Sequence, residues 1–214
     1  MKEQHLNAYS PTEERWNVYT HLLGIILSVI GLFFLIFRSI EIPKTWAIFS
    51  FLVFGISMII MYTASTLYHA STTIEKRKRL KIFDHAAIYV LIAGSYTPFT
   101  LVSLINNGGI SVFSIVWLFA LIGIIIKLFF TGRFKIISTL MYVFMGWLIV
   151  FSFSDLKANM SEEGISWLIA GGVAYTVGAI LYSIKKIPFN HAIFHIFVLI
   201  GTFCHFISIL NYVE

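Results

Sequence analysis

Seven long apolar stretches, separated by short clusters of charge or of Gly, Asn and Pro, constrain this chain more than any single residue does. A helix crosses the hydrocarbon core of a bilayer with about 20 mainly apolar residues, and only helices and closed barrels satisfy their backbone there. The stretches run approximately 17–37, 45–68, 84–105, 110–130, 135–154, 164–184 and 190–212. Composition agrees, with 58% of residues hydrophobic and 12% charged, where soluble domains carry roughly 25% charged. The expected fold is therefore all-α, an integral membrane protein of seven transmembrane helices. Connections are short, so residues 1–214 are expected to form one seven-helix domain, with 1–16 a short cytoplasmic segment.

Lysine and arginine set the orientation, because cytoplasmic loops accumulate them. One side holds Lys2, Arg15, the run Lys76-Arg77-Lys78-Arg79 with Lys81, the group Lys127, Arg133 and Lys135, and the pair Lys185-Lys186. The other holds only Arg38, Lys44 and Lys157. The N-terminus is expected in the cytoplasm and the C-terminus outside, in a multi-pass protein of the plasma membrane. The net charge of +5 falls between apolar runs, where topology and lipid headgroups account for it, so nucleic acid is not an expected partner. Lys127 sits inside the fourth stretch, where a side chain snorkelling to the cytoplasmic surface is expected. The sole cysteine, Cys204, excludes a disulfide framework. The first apolar run lacks a small-residue cleavage site and is followed by further spans, so it reads as a retained helix.

Ionisable groups in transmembrane sequence are costly to bury and mark function by default. Ser65 and His69 stand four apart at the end of the second stretch, Asp84 opens the third, and His191 and His195 open the seventh. The alternating topology puts all of them near one leaflet. At i,i+4 spacing, residues differ by about 40° and one turn, so His191 and His195 can face one ion. Three imidazoles beside a carboxylate suggest Zn2+, although each histidine alone also suits a hydrogen bond to a neighbouring helix. Glu14, Asn17 and His21 form one polar stripe at the same end of the first span, with a structural or supporting role. Pro188 and Asn190 are read as the start of the last helix, with Asn190 as N-cap. His85 points about 100° from Asp84 and reads as a packing or headgroup contact, or a substitute ligand. His205 lies roughly 21 Å along the helix from His191, too far to share its ion. His5 reads as a solvated tail residue. Gly55, Ser57, Gly171, Gly172 and Gly178 are expected at close helix crossings, and Gly94, Ser95 and Pro98 at a kink.

Three segments carry a resemblance: Glu14-Arg-Trp-Asn17-Val-Tyr-Thr-His21-Leu-Leu-Gly24, Ser65-Thr-Leu-Tyr-His69 continuing to Asp84, and His191-Ala-Ile-Phe-His195 continuing to His205. In order and spacing they resemble the progestin and adiponectin receptor family, and within it the bacterial hemolysin III branch. The resemblance implies zinc held by His69, His191 and His195, a water held by Asp84, and Ser65 nearby. It also places the chain beside the alkaline ceramidases, seven-span proteins considered lipid hydrolases. The expected function is zinc-dependent hydrolysis of a lipid amide or ester bond, with Asp84 as general base and Ser65 assisting the oxyanion. The alternative is a zinc-stabilised sensor or regulator of membrane lipid without turnover; a proton or ion path and a cytolysin come after it. The expected partner is a membrane lipid, with no protein partner identified. The N-terminal segment of about 16 residues is shorter than that of the eukaryotic receptors, and no extended soluble segment suits a pore-forming toxin.

Overall fold

The protein is described by a computed structural model covering residues 9–131 and 135–214, with the side chains of 135 and 136 left undescribed. The helices are α1 (Pro11–Glu41), α2 (Ala47–Ala70), α3 (Ile74–Pro98), α4 (Gly109–Phe130), α5 (Lys135–Gly146), α6 (Phe153–Asn159), α7 (Glu162–Ser183) and α8 (Asn190–Tyr212). Among the described residues they supply seven spans long and apolar enough to cross a membrane, because α5 and α6 share one span. The expected all-α, seven-helix membrane architecture is therefore present.

Most helices pack on their neighbours in sequence: α1 on α2, α2 on α3, α3 on α4 and α7 on α8, while α5 lies against α3 and α7, and α1 meets α8. The third span lies innermost, with 83% of its hydrophobic window buried against 50% or less in the others. Large apolar side chains such as Leu22, Phe33, Phe37, Phe129 and Phe151 face outward, as a lipid-facing surface requires.

Several boundaries differ from the sequence reading. The first helix starts six residues earlier than expected, at Pro11, capped by Ser10 Oγ, which accepts from Glu13 N at 3.2 Å. This is a normal helix opening, with proline in the first turn behind a serine cap. The third begins at Ile74, so the basic run 76–81 is helical and Arg77 faces inward. Pro98 closes its α-helical part, and the chain continues as a π turn over Phe99–Ser103. Proline lacks the N–H that would bond the preceding turn, which accounts for a change of winding there.

The fifth span is not continuous. The chain breaks at Trp147, winds as a 3-10 turn through Leu148–Ser152, and resumes as α6. Asn190 is the first helical residue of α8 and not its cap; its Nδ2 donates to Tyr182 O at 2.7 Å, pinning α8 to the end of α7. The residue before it, Phe189, takes φ +57°, a left-handed conformation that a bulky side chain adopts at a cost. The turn between α7 and α8 is thus tightly specified, and it positions His191.

Candidate metal centre

Three helix ends meet where α1 begins, α2 ends and α8 begins. Glu13, Glu14, Asn17 and His21 from α1, His69 and Ser65 from α2, and His191 and His195 from α8 are all buried there. His191 Nε2 stands 3.0 Å from His69 Nε2 and 3.1 Å from His195 Nε2. The three ring nitrogens form a group able to hold a metal ion, with ligand atoms within 4.8 Å of one another.

The chemistry on the far side of each ring decides what faces inward. His69 Nδ1 lies 2.6 Å from Glu14 Oε2, and a carboxylate accepts, so Nδ1 donates and Nε2 presents its lone pair to the centre. His195 Nδ1 lies 3.3 Å from Asn17 O, a carbonyl acceptor, and 3.3 Å from Thr20 Oγ1. Its Nε2 lone pair is directed inward for the same reason. His191 Nε2 sits between these two lone pairs and can donate to only one, so a cation satisfies the set better than a proton does. Tetrahedral Zn–N bonds of 2.0–2.1 Å put neighbouring nitrogens about 3.4 Å apart, close to the spacings found. The residues fit a three-imidazole metal site.

A surrounding layer of polar contacts fixes those rings. Arg77 donates through NH2 to Glu14 Oε1 and through NH1 to Ser71 O at 3.3 Å, and its guanidinium lies 4.7 Å from the centre of the Tyr68 ring. Glu13 Oε1 accepts from His191 N at 3.2 Å, so a carboxylate of α1 serves one of the unpaired N–H groups that open α8. His21 stacks on His195 with ring centres 3.6 Å apart and planes 10° apart. It is a neighbour of the imidazole set and not a member. Tyr9 stacks on His191 at 4.6 Å and covers it from the chain's start, where burial pushes the Tyr9 hydroxyl upward and keeps it neutral.

Asp84 stands outside the three-nitrogen group and lines a cavity of about 160 Å³ together with Ser65, His21, His191 and His195. Ser65 Oγ is buried and has no hydrogen-bond partner among the described residues. The remaining walls are largely apolar, including Ile88, Leu91, Ile92, Phe194 and Val198. A second cavity of about 280 Å³ shares Ser95, Tyr96, Gly146, Trp147, Gly172 and His205 with the first. His85 lies apart from the imidazole set; its Nδ1 donates to Lys81 O at 2.8 Å and sits 3.4 Å from Asp84 Oδ2. His205 packs on Gly171 and Tyr175 at the joint between the cavities, away from the other histidines as expected. His5 lies outside the described residues. Lys127 does not snorkel: it is 2% exposed, bonds Ser138 Oγ, and lines the first cavity.

Glu13, Thr20 and Arg77 were not singled out from sequence. Arg77 had a usable signal, since it precedes Asp84 by seven residues and shares its face once the helix reaches back that far. Glu13 and Thr20 stand four residues before and three after Asn17 on one face of α1, a signal of the same kind, although the partners they meet lie on α8.

A model of the haemolysin-III-related family matches residues 9–206. The chain belongs to the haemolysin-III-related family. Over 200 residues it is 46% identical to the hemolysin-3 homolog of Bacillus subtilis (strain 168), covering 94% of each chain. It is 45% identical to hemolysin-3 of Bacillus cereus over 94% of its own length and 92% of the relative's. The monocyte to macrophage differentiation factor of Homo sapiens is similar at 27% identity, with 95% and 87% covered. Proteins similar to this chain thus occur in bacteria and in animals, over nearly the same length of chain.

Proposed function

We propose that this haemolysin-III-related protein is a zinc-dependent hydrolase that cleaves an amide or ester bond of a membrane lipid, with the metal held by His69, His191 and His195. The observation that carries this reading is the cavity, which joins two of the three imidazoles to Asp84, Ser65 and a long apolar wall. A closed site would suit a purely structural ion, whereas this one leaves a carboxylate, a hydroxyl and room beside the metal position. Zinc bound there supplies Lewis acidity and makes water acidic enough to react near neutral pH.

The chain's own residues do the rest. Asp84, held on α3, orients a water at the cavity wall, takes its proton and returns it to the leaving amine or alcohol. Ser65, with its hydroxyl otherwise without a partner, donates to the oxygen that gains charge at the scissile carbonyl. The apolar walls keep other water out and receive the hydrocarbon chain. The orientation expected from the lysines and arginines supports a site at the cytoplasmic leaflet.

Two variant sets test the proposal on the purified protein. His69→Ala, His191→Ala and His195→Ala should each lose stoichiometric zinc by elemental analysis, and full retention in all three defeats the ligand set. Asp84→Asn should keep zinc yet cut lipid turnover by about 10²–10⁴-fold. Equal turnover removes Asp84 from the chemistry; no turnover by the wild type, with zinc bound, favours a regulator over an enzyme.

A further inference from the structure

Among the described residues Lys127 is the one buried cation lining the first cavity, and the proposed chemistry leaves it unused. It stands in the last turn of α4, where its charge suits the helix's negative end, but its side chain turns inward and ends on Ser138 of α5. An ammonium has three donors, and here one meets a neutral hydroxyl and the group lies 5.8 Å from the Tyr142 ring centre. No carboxylate lies within ion-pair distance of it among the described residues. Lys81 of α3 adds a second positive charge close enough to repel it. A desolvated cation left in that condition is expensive, and an oxyanion entering the cavity offsets the cost.

The same wall ties Lys127 to the metal end of the cavity. Tyr142, beneath the ammonium, donates to His85 O at 3.0 Å, and His85 follows Asp84 in sequence. We propose that Lys127 and Ser138, beside the Tyr142 ring, form a subsite that receives the phosphate of a lipid headgroup while the scissile bond lies at Asp84 and the imidazoles. A carboxylate is a weaker candidate, because hydrolysis creates one only at the scissile carbonyl itself. An intact membrane lipid carries its negative charge as phosphate, at a distance from its acyl linkage. The inference rests on the reading of the cavity as a lipid site, and it narrows the substrate to phosphate-bearing lipids.

The test uses binding, so that it does not depend on turnover. The zinc-loaded full chain in dodecyl maltoside, which brings no phosphate, is titrated with 1-oleoyl lysophosphatidic acid, with uncharged monoolein, and with inorganic phosphate as competitor. The phosphate-bearing lipid should bind roughly ten- to hundredfold more tightly than monoolein, the range expected of a hydrogen bond to a charged group. Lys127→Gln should erase that preference, leave monoolein binding within about threefold and leave zinc content unchanged. Equal binding of the two lipids to wild type, a measurement that needs no variant, overturns the subsite while the lipid site stands. Persistence of the preference in Lys127→Gln also overturns it. Displacement by inorganic phosphate at matching concentration assigns the site to free anion and overturns the headgroup reading. Binding of neither lipid overturns the subsite and the lipid cavity together.

Discussion

Glu14 carries more of this centre than its position near the chain's start suggests. One oxygen accepts from His69 Nδ1 and the other from Arg77, so the carboxylate both sets the tautomer of a ring and is itself held in place. Partners of this kind around a metal-binding histidine change metal affinity by about 10–100-fold when altered. Glu14→Gln retains the size and one acceptor but loses the charge that would make His69 a stronger ligand for the proposed zinc. It should raise the zinc dissociation constant by that factor in competition against a chelator; an unchanged constant denies Glu14 the role. Residue by residue, the sequence revealed the imidazoles because helical spacing and a common depth can be read along one chain. It did not reveal Glu13, Thr20 or Arg77, whose contacts run from one helix to another. Arg77 in particular has the appearance of a loop cation that sets topology, and only the helical run from Ile74 turns it toward Glu14.

At the scale of elements, the broken fifth span poses a sharper physical problem than the six others. A break at membrane depth frees backbone groups that hydrocarbon cannot satisfy, so something within the protein must. Tyr96 of α3 does it: its hydroxyl lies 3.0 Å from Met145 O and 2.8 Å from Gly146 O, and accepts from Ile149 N at 2.8 Å. Trp147, at the break itself, donates from Nε1 to Thr176 Oγ1 at 2.9 Å and so ties it to α7. Tyr96→Phe keeps the ring and strands those groups, which should cost about 1–3 kcal/mol in unfolding measured in detergent micelles. A loss under about 0.5 kcal/mol shows that water or lipid takes over the hydroxyl's bonds. The seven apolar runs were legible because each is long enough to decide its own state. The break was not, since residues 140–151 around it are apolar apart from Gly146, which alone gives little warning. The close crossings were partly legible: a Cβ on Gly178 would stand 2.6 Å from that of Phe197, whereas Gly172 meets Trp147 only at an ordinary 3.4 Å and borders the cavity.

For the whole molecule, the decisive question is which compartment the end with the candidate metal centre faces. The helix ends that carry Glu14, His69, Asp84, Lys127 and His191 belong to the same end of the bundle as the basic run 76–81, so one measurement orients all of them. Charge bias predicts that this end is cytoplasmic. The chain's only cysteine, Cys204, is buried, and a Cys204→Ser background leaves no thiol to confuse the readout. Arg79→Cys and Asn159→Cys place single thiols at exposed positions near opposite ends of the bundle. In intact cells a membrane-impermeant maleimide should label position 159 and spare position 79, and lysis should expose both. Under that outcome the proposed lipid would reach the centre from the inner leaflet, where anionic headgroups concentrate and where the buried Lys127 charge would have the most to select. Labelling of position 79 alone in intact cells turns the protein over. The histidines would then face the exterior, and the apolar cavity would draw its occupant from the outer leaflet.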